Sequence, residues 1–133
     1  MAEPTRGLLD TSVVIDHDLL DAALLPDDSA LSAVTLAELA AGPHAARDEA
    51  ERACRQDRLQ WAAATWDVLP FDAEAARMYG RMFSAARAAG RTSRARLADL
   101  LIAATAAAND LPLYTRNPAD FAALEPLVTI VAI

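Results

Sequence analysis

A chain of 133 residues that is 54% hydrophobic, with a mean hydropathy of only +0.15, has the composition of one soluble globular domain, expected over residues 1–133, long enough to bury a core. Its net charge of −7 and single cysteine, Cys54, exclude a generally basic nucleic-acid-coating surface and an internal disulfide. The longest largely apolar run, Leu100 to Ala108, is too short to span a bilayer, so no membrane partner is expected.

The predicted elements alternate. "GLLDTSVVI" reads as a first buried strand, nearly continuous in aliphatic and β-branched residues, with Asp10 inside it. "SALSAVT" reads as a second short strand leading into "LAELAAG", and "HAARDEAERACRQDRLQWAAATW" has helical composition. "DVLPF" is a short strand or connector. A helix follows from Asp72, an N-cap with Glu74 in the first turn, to a stop at Gly90. "SRARLADLLIAATAAAND" is a further helix, rich in small residues that allow close packing on a sheet, and "LPLYT" and "LVTIVAI" close the chain as strands. This order predicts a three-layer α/β/α domain with a mostly parallel central sheet. No linker, repeat or second domain interrupts it.

Charge is unevenly spread. Asp10, Asp16, Asp18, Asp21, Asp27 and Asp28 cluster with no arginine among them, whereas Ala75 to Ala98 holds Arg77, Arg81, Arg87, Arg91, Arg94 and Arg96 with no acid. All 12 basic residues are arginine, the better bidentate partner for phosphate. Such a run is either a solvated helix face or a local patch that holds a polyanion on an acidic protein.

Parallel sheets bind ligands beyond the carboxyl ends of their strands, and the acids fall there. Asp10 is the most telling, because a strand carboxylate is costly to bury without a partner. Glu38 closes "Thr35-Leu-Ala-Glu38", which also fits a capping box. Asp99 lies at or near a helix start, where it fits an N-cap or an i,i+3 partner of Arg96. "Asn117-Pro118-Ala-Asp120" fits a helix start with Asn117 as cap. His17 and His44 read as exposed loop residues without an identifiable partner. Clustered carboxylates repel unless a cation holds them, and oxygen ligands without histidine or cysteine select Mg²⁺ or Mn²⁺ rather than zinc. Such a cation orients phosphate oxygens and activates water, so metal-dependent phosphodiester hydrolysis is the expected chemistry.

At "LLDTSVVID", "SAVTLAELAAG", "ARLADLLIAATAAANDLPLYTRNPADF" and the terminal strand, the chain resembles the PIN-domain ribonucleases, specifically the VapC toxins of bacterial toxin–antitoxin pairs. The resemblance spans nearly the whole chain in the family's order. It implies a Mg²⁺- or Mn²⁺-dependent endoribonuclease acting on RNA, neutralised by a cognate VapB-type antitoxin and working as a homodimer. By motif, Asp10 matches the first-strand metal ligand, Glu38 the acid of the second motif, and Asp99 the acid opening the alanine-rich helix and the other direct ligand. Many family members carry an acid where Asn117 stands here. The resemblance then implies that Asp120 takes that role, with Asn117 holding a water or the substrate. Thr11 and Ser12 are expected to support the acids, and Arg94, Arg96 and Arg116 to contact phosphate. The antitoxin surface is expected on the helical face around residues 44 to 66. The sequence MAEPTRG lacks the basic and apolar regions of an export signal, so a cytoplasmic location is expected.

The rivals are weaker. A haloacid-dehalogenase-like phosphatase wants a second acid where Ser12 stands and a later lysine, and a receiver domain also needs the lysine. A degenerate PIN-like domain that only binds RNA or a partner would keep the fold while losing the acids, which this chain retains.

Overall fold

The computed structural model describes residue 3 and residues 5–91 and 94–133. Ser93, where the alanine-rich helix was expected to begin, lies outside the described residues, as do Met1, Ala2 and Pro4 of the opening stretch.

Five strands form one sheet: β1 (Arg6–Leu9), β2 (Asp28–Ser32), β3 (Asp67–Leu69), β4 (Leu113–Thr115) and β5 (Ile130–Ala132). Their order is β3-β2-β1-β4-β5, and every pairing is parallel. The helices are α1 (Thr11–Ile15), α2 (Ala33–Ala41), α3 (Glu49–Thr65), α4 (Ala73–Ala88) and α5 (Leu97–Ala108), with short 3₁₀ turns between them. The predicted three-layer domain is therefore present, with an all-parallel sheet.

Alternation along the strands divides the core. Leu8, Ala30 and Leu113 face Met82, Ile102 and Phe121 on one side of the sheet, whereas Leu9, Leu31 and Tyr114 face Val13, Leu39 and Ala62 on the other. Consecutive strand side chains point to opposite faces, so each short strand serves both layers. The alanines of α5 act as expected: Ala103, Ala104 and Ala106 are fully buried, and their lack of bulk lets that helix lie close against its neighbours.

Two boundaries near the acids Asp10 and Glu38 differ from the sequence reading. β1 ends at Leu9, and Thr11–Ile15 turns helical, with Asp10 as its extended N-cap residue. A buried apolar run of this length fits a strand or a helix equally; here the helical turn buries both Val13 and Val14. Likewise α2 starts at Ala33, so "AVT" is helix rather than strand. The Ser32 hydroxyl accepts from the Val34 N–H at 3.0 Å and is the true cap. Thr35 is consequently buried inside the helix, and the Thr35–Glu38 capping box does not form.

The ends of α4 match expectation. Asp72 accepts from the Ala75 N–H at 2.9 Å, and Gly90, at φ 69°, closes the helix. Its N–H donates to the Arg87 carbonyl at 3.0 Å while that of Arg91 donates to Ala86 at 2.8 Å, a Schellman arrangement. Among the described residues no helix is long and apolar enough to cross a membrane.

Candidate active site

The chain runs outward from β1 to β2 and β3, then returns to the other side of β1 for β4 and β5. The strand order therefore reverses between β1 and β4, and in open parallel sheets a crevice opens at the carboxyl ends of the strands on either side of such a point. Asp10 follows β1 there and Thr115 ends β4, linked by the Asp10 N–H donating to the Tyr114 carbonyl at 2.9 Å.

Asp10 is almost fully buried, only 5% exposed, and its partners explain how that is tolerated. The Ser12 hydroxyl donates to Asp10 Oδ2 at 2.7 Å and the Thr115 hydroxyl to the same oxygen at 2.9 Å. Each hydroxyl is itself oriented by a backbone donor: the Arg116 N–H reaches Ser12 Oγ at 3.2 Å and the Asn117 N–H reaches Thr115 Oγ1 at 3.0 Å. Both hydroxyl protons converge on one carboxylate oxygen, which leaves Oδ1 for another ligand. Thr115 is the site residue that sequence reasoning missed. Its signal was a hydroxyl at the carboxyl end of the strand that pairs with β1.

Glu38 projects from α2 toward α1. The Thr11 hydroxyl donates to Glu38 Oε1 at 2.7 Å and lies 3.0 Å from the buried Thr35 hydroxyl. The Thr11 hydroxyl is shared between Glu38 Oε1 and Thr35 Oγ1 as acceptors, the shorter contact being to the carboxylate, and Glu38 Oε2 stays free. The Thr11 and Ser12 hydroxyls thus each donate to one of these carboxylates.

Asp99 lies in the first turn of α5, and the residue capping that helix is Arg96, not Asp99. The Asp99 carboxyl is pushed up to about 6, first by burial and then by repulsion from Asp10 and Asp120, with Arg96 opposing and Glu38 adding. Asp10, Glu38 and Asp120, from three other segments, therefore lie close enough to repel the charge of Asp99. Asp120 lies on the 3₁₀ turn Pro118–Leu124 and accepts from Arg96 Nη1 at 2.5 Å, while the same nitrogen is 3.9 Å from Asp99 Oδ2. Asn117 precedes that turn as predicted, but its side chain caps nothing.

The arginines separate. Arg77, Arg81, Arg87, Arg91 and Arg94 are exposed, the solvated-face reading, and only Arg96 of that run reaches the acids. Arg116 is turned toward Asp16, at 3.2 Å. The expectation for His17 is corrected: it is half-buried, its ring centroid 5.0 Å from that of Trp61 and 5.4 Å from that of Trp66. His44 is exposed as expected.

The donor set suits a hard divalent cation: only carboxylates, several with one oxygen uncommitted, and mutual repulsion that a cation would relieve. Among the described residues no three or more acid, histidine or cysteine side chains converge closely enough to hold a metal ion by themselves. A cation held here would be completed by water and phosphate oxygens, the habit of Mg²⁺.

The sheet and its acidic end define a member of a known class. The sequence matches the PIN domain family over residues 7–125. It is 43% identical over 130 residues to Ribonuclease VapC5 of Mycobacterium tuberculosis, covering 96% of this chain and 93% of that protein. The crystal structure of the VapBC-5 toxin–antitoxin complex from M. tuberculosis holds a chain that superposes with a TM-score of 0.85 at 43% identity, over 98% of this chain and 100% of that one. VapBC2 from Rickettsia felis, at 21% identity, shares the fold with a TM-score of 0.77, over 97% of this chain and 99% of that one. The chain belongs to the PIN-domain family, in its VapC ribonuclease branch.

Proposed function

We propose that this chain, as a single PIN domain over residues 1–133, is the toxin of a type II toxin–antitoxin pair. It is an endoribonuclease that hydrolyses RNA phosphodiester bonds in the cytoplasm, and a VapB-type antitoxin neutralises it. Metal dependence is general in this family, and Mg²⁺, with Mn²⁺ as substitute, is the ion the oxygen-only donor set favours. The observation that carries the reading is Asp10: a buried carboxylate with both of its hydroxyl donors on Oδ2, near an Asp99 whose proton affinity is raised first by burial and then by the neighbouring acids.

Asp10 and Asp99 would hold the cation, with Glu38 beside them. When bound, it supplies charge compensation at the phosphate and a more acidic water. Asp10 is kept rigid by Ser12 and Thr115, so its free oxygen needs no reorganisation on binding. Glu38, oriented through Oε1 by Thr11, is the acceptor for the proton of the attacking water at Oε2. Hydrolysis by water leaves a 5′-phosphate and a 3′-hydroxyl.

Two adjoining clefts that share Ile15 and Arg58 run from Glu38 along α3 to Trp61. Ile15 and Trp61 are 47% and 38% exposed there. This groove, on the face expected from the sequence, is the proposed seat of the antitoxin. A homodimer is the proposed assembly.

The test is 5′-end sequencing of total cellular RNA treated with purified protein, with and without Mg²⁺, beside Asp99→Asn. Discrete new 5′-phosphate ends that need both the ion and Asp99 are expected. Their absence from a folded protein that binds Mg²⁺ would favour a binding-only domain.

A further inference from the structure

We propose that Arg96 is a positioning residue that ties Asp120 away from the cation and so keeps the site's affinity for a free divalent ion low. The inference rests on the metal-dependent reading above. Arg96 stands one residue before α5 and three before Asp99, the spacing that stacks two side chains on one helix face. Its guanidinium reaches across 24 residues of sequence to Asp120 Oδ1 at 2.5 Å, and Asp99 Oδ2 is 3.9 Å away. Among the described residues it is the only basic side chain paired with any of Asp10, Glu38, Asp99 and Asp120.

Two effects follow from that position. A charge-assisted hydrogen bond at this distance holds Asp120 against Arg96, so the carboxylate best placed to substitute for the missing acid at Asn117 is already engaged. The guanidinium also sets a fixed positive charge beside the ligands of a divalent cation, which raises the electrostatic cost of loading it. A phosphate arriving with the cation offsets that cost, because its oxygens offer both positive groups a partner. Arg96 thus couples metal loading to substrate.

Calorimetric titration of Mn²⁺ without RNA tests this on the full chain, comparing wild type with Arg96→Gln, Arg96→Lys, Asp120→Asn and the double variant Arg96→Gln/Asp120→Asn. Arg96→Gln is expected to bind about tenfold tighter, since a like charge is removed and Asp120 is released. Arg96→Lys, which keeps the charge, should lie nearer wild type. Asp120→Asn should bind more weakly, as the freed guanidinium moves onto Asp99, and in the double variant most of the Arg96→Gln gain should vanish. Unchanged or weaker binding by a folded Arg96→Gln overturns the proposal, as does a gain that survives in the double variant. Should Arg96→Gln not fold, Asp120→Asn binding as tightly as wild type, or tighter, overturns it alone. If wild type takes up no Mn²⁺ at all, the metal-dependent reading itself fails, an outcome distinct from the others.

Discussion

Asp99 carries the sharpest prediction at the scale of single residues. Its carboxyl is raised from 3.8 to about 6 in the folded chain by burial and by Asp10 and Asp120, so the charged form is disfavoured by folding. That penalty is fully present above pH 6. It fades as the pH falls through 6 and is gone below 3.8, where the folded and unfolded states are both protonated. In EDTA at pH 7.5, Asp99→Asn should therefore be more stable than wild type by about 2 kcal/mol in urea unfolding, and the gap should close between pH 6 and pH 4. A variant that is less stable at pH 7.5 would mean that Asp99 serves the fold. Thr115 makes the opposite kind of prediction. Its hydroxyl donates to Asp10 at 2.9 Å from a fully buried position, so Thr115→Val leaves Asp10 Oδ2 with Ser12 alone. Mn²⁺ affinity, read by calorimetry, should fall roughly tenfold, the usual cost of losing a group that orients a metal ligand.

The helices of this chain are defined chiefly by their ends. Gly90 adopts φ 69° after α4, in the region where a Cβ is strained, and a built Cβ there meets open space. Gly90→Ala should thus cost only the backbone term, about 1 kcal/mol, measured as a lower urea midpoint at unchanged slope. A much larger loss would show that the turn into Arg91 depends on more than that conformation. Gly7 is required for a different reason. The Tyr114 ring occupies the place where its Cβ would stand, so the glycine leaves room for that ring to lie over β1.

Taken whole, the molecule is an acidic protein with four of its 19 acids gathered beyond one end of a parallel sheet, and the native state should be stabilised by what neutralises them. A cation that binds only the folded form adds RT ln(1 + [L]/Kd), about 2.7 kcal/mol at a hundredfold excess over Kd. Saturating Mg²⁺ should raise the melting temperature of wild type and leave that of Asp10→Asn nearly unmoved. An equal rise in both would place the stabilising ion elsewhere on the surface.

Much of this was legible in the sequence because it is local. The strand–helix alternation, the Asp72 cap, the Gly90 stop, Asp10 at a strand end and Asp99 in the first turn of a helix all rest on patterns a few residues long, whereas Glu38 lies inside α2 and not at its start. Where local patterns were degenerate, the chain chose otherwise. The apolar run after Asp10 suited a helical turn as well as a strand, and Thr35 gave up the cap to Ser32. Only the tertiary structure decided what each acid can do. The Thr115 hydroxyl reaches Asp10 across 105 residues and Arg96 reaches Asp120 across 24. Such contacts exist only once β1 and β4 are in register and α5 lies against the turn that follows β4. Sequence spacing encodes which residues share a face of one element; packing between elements selects which oxygens remain free.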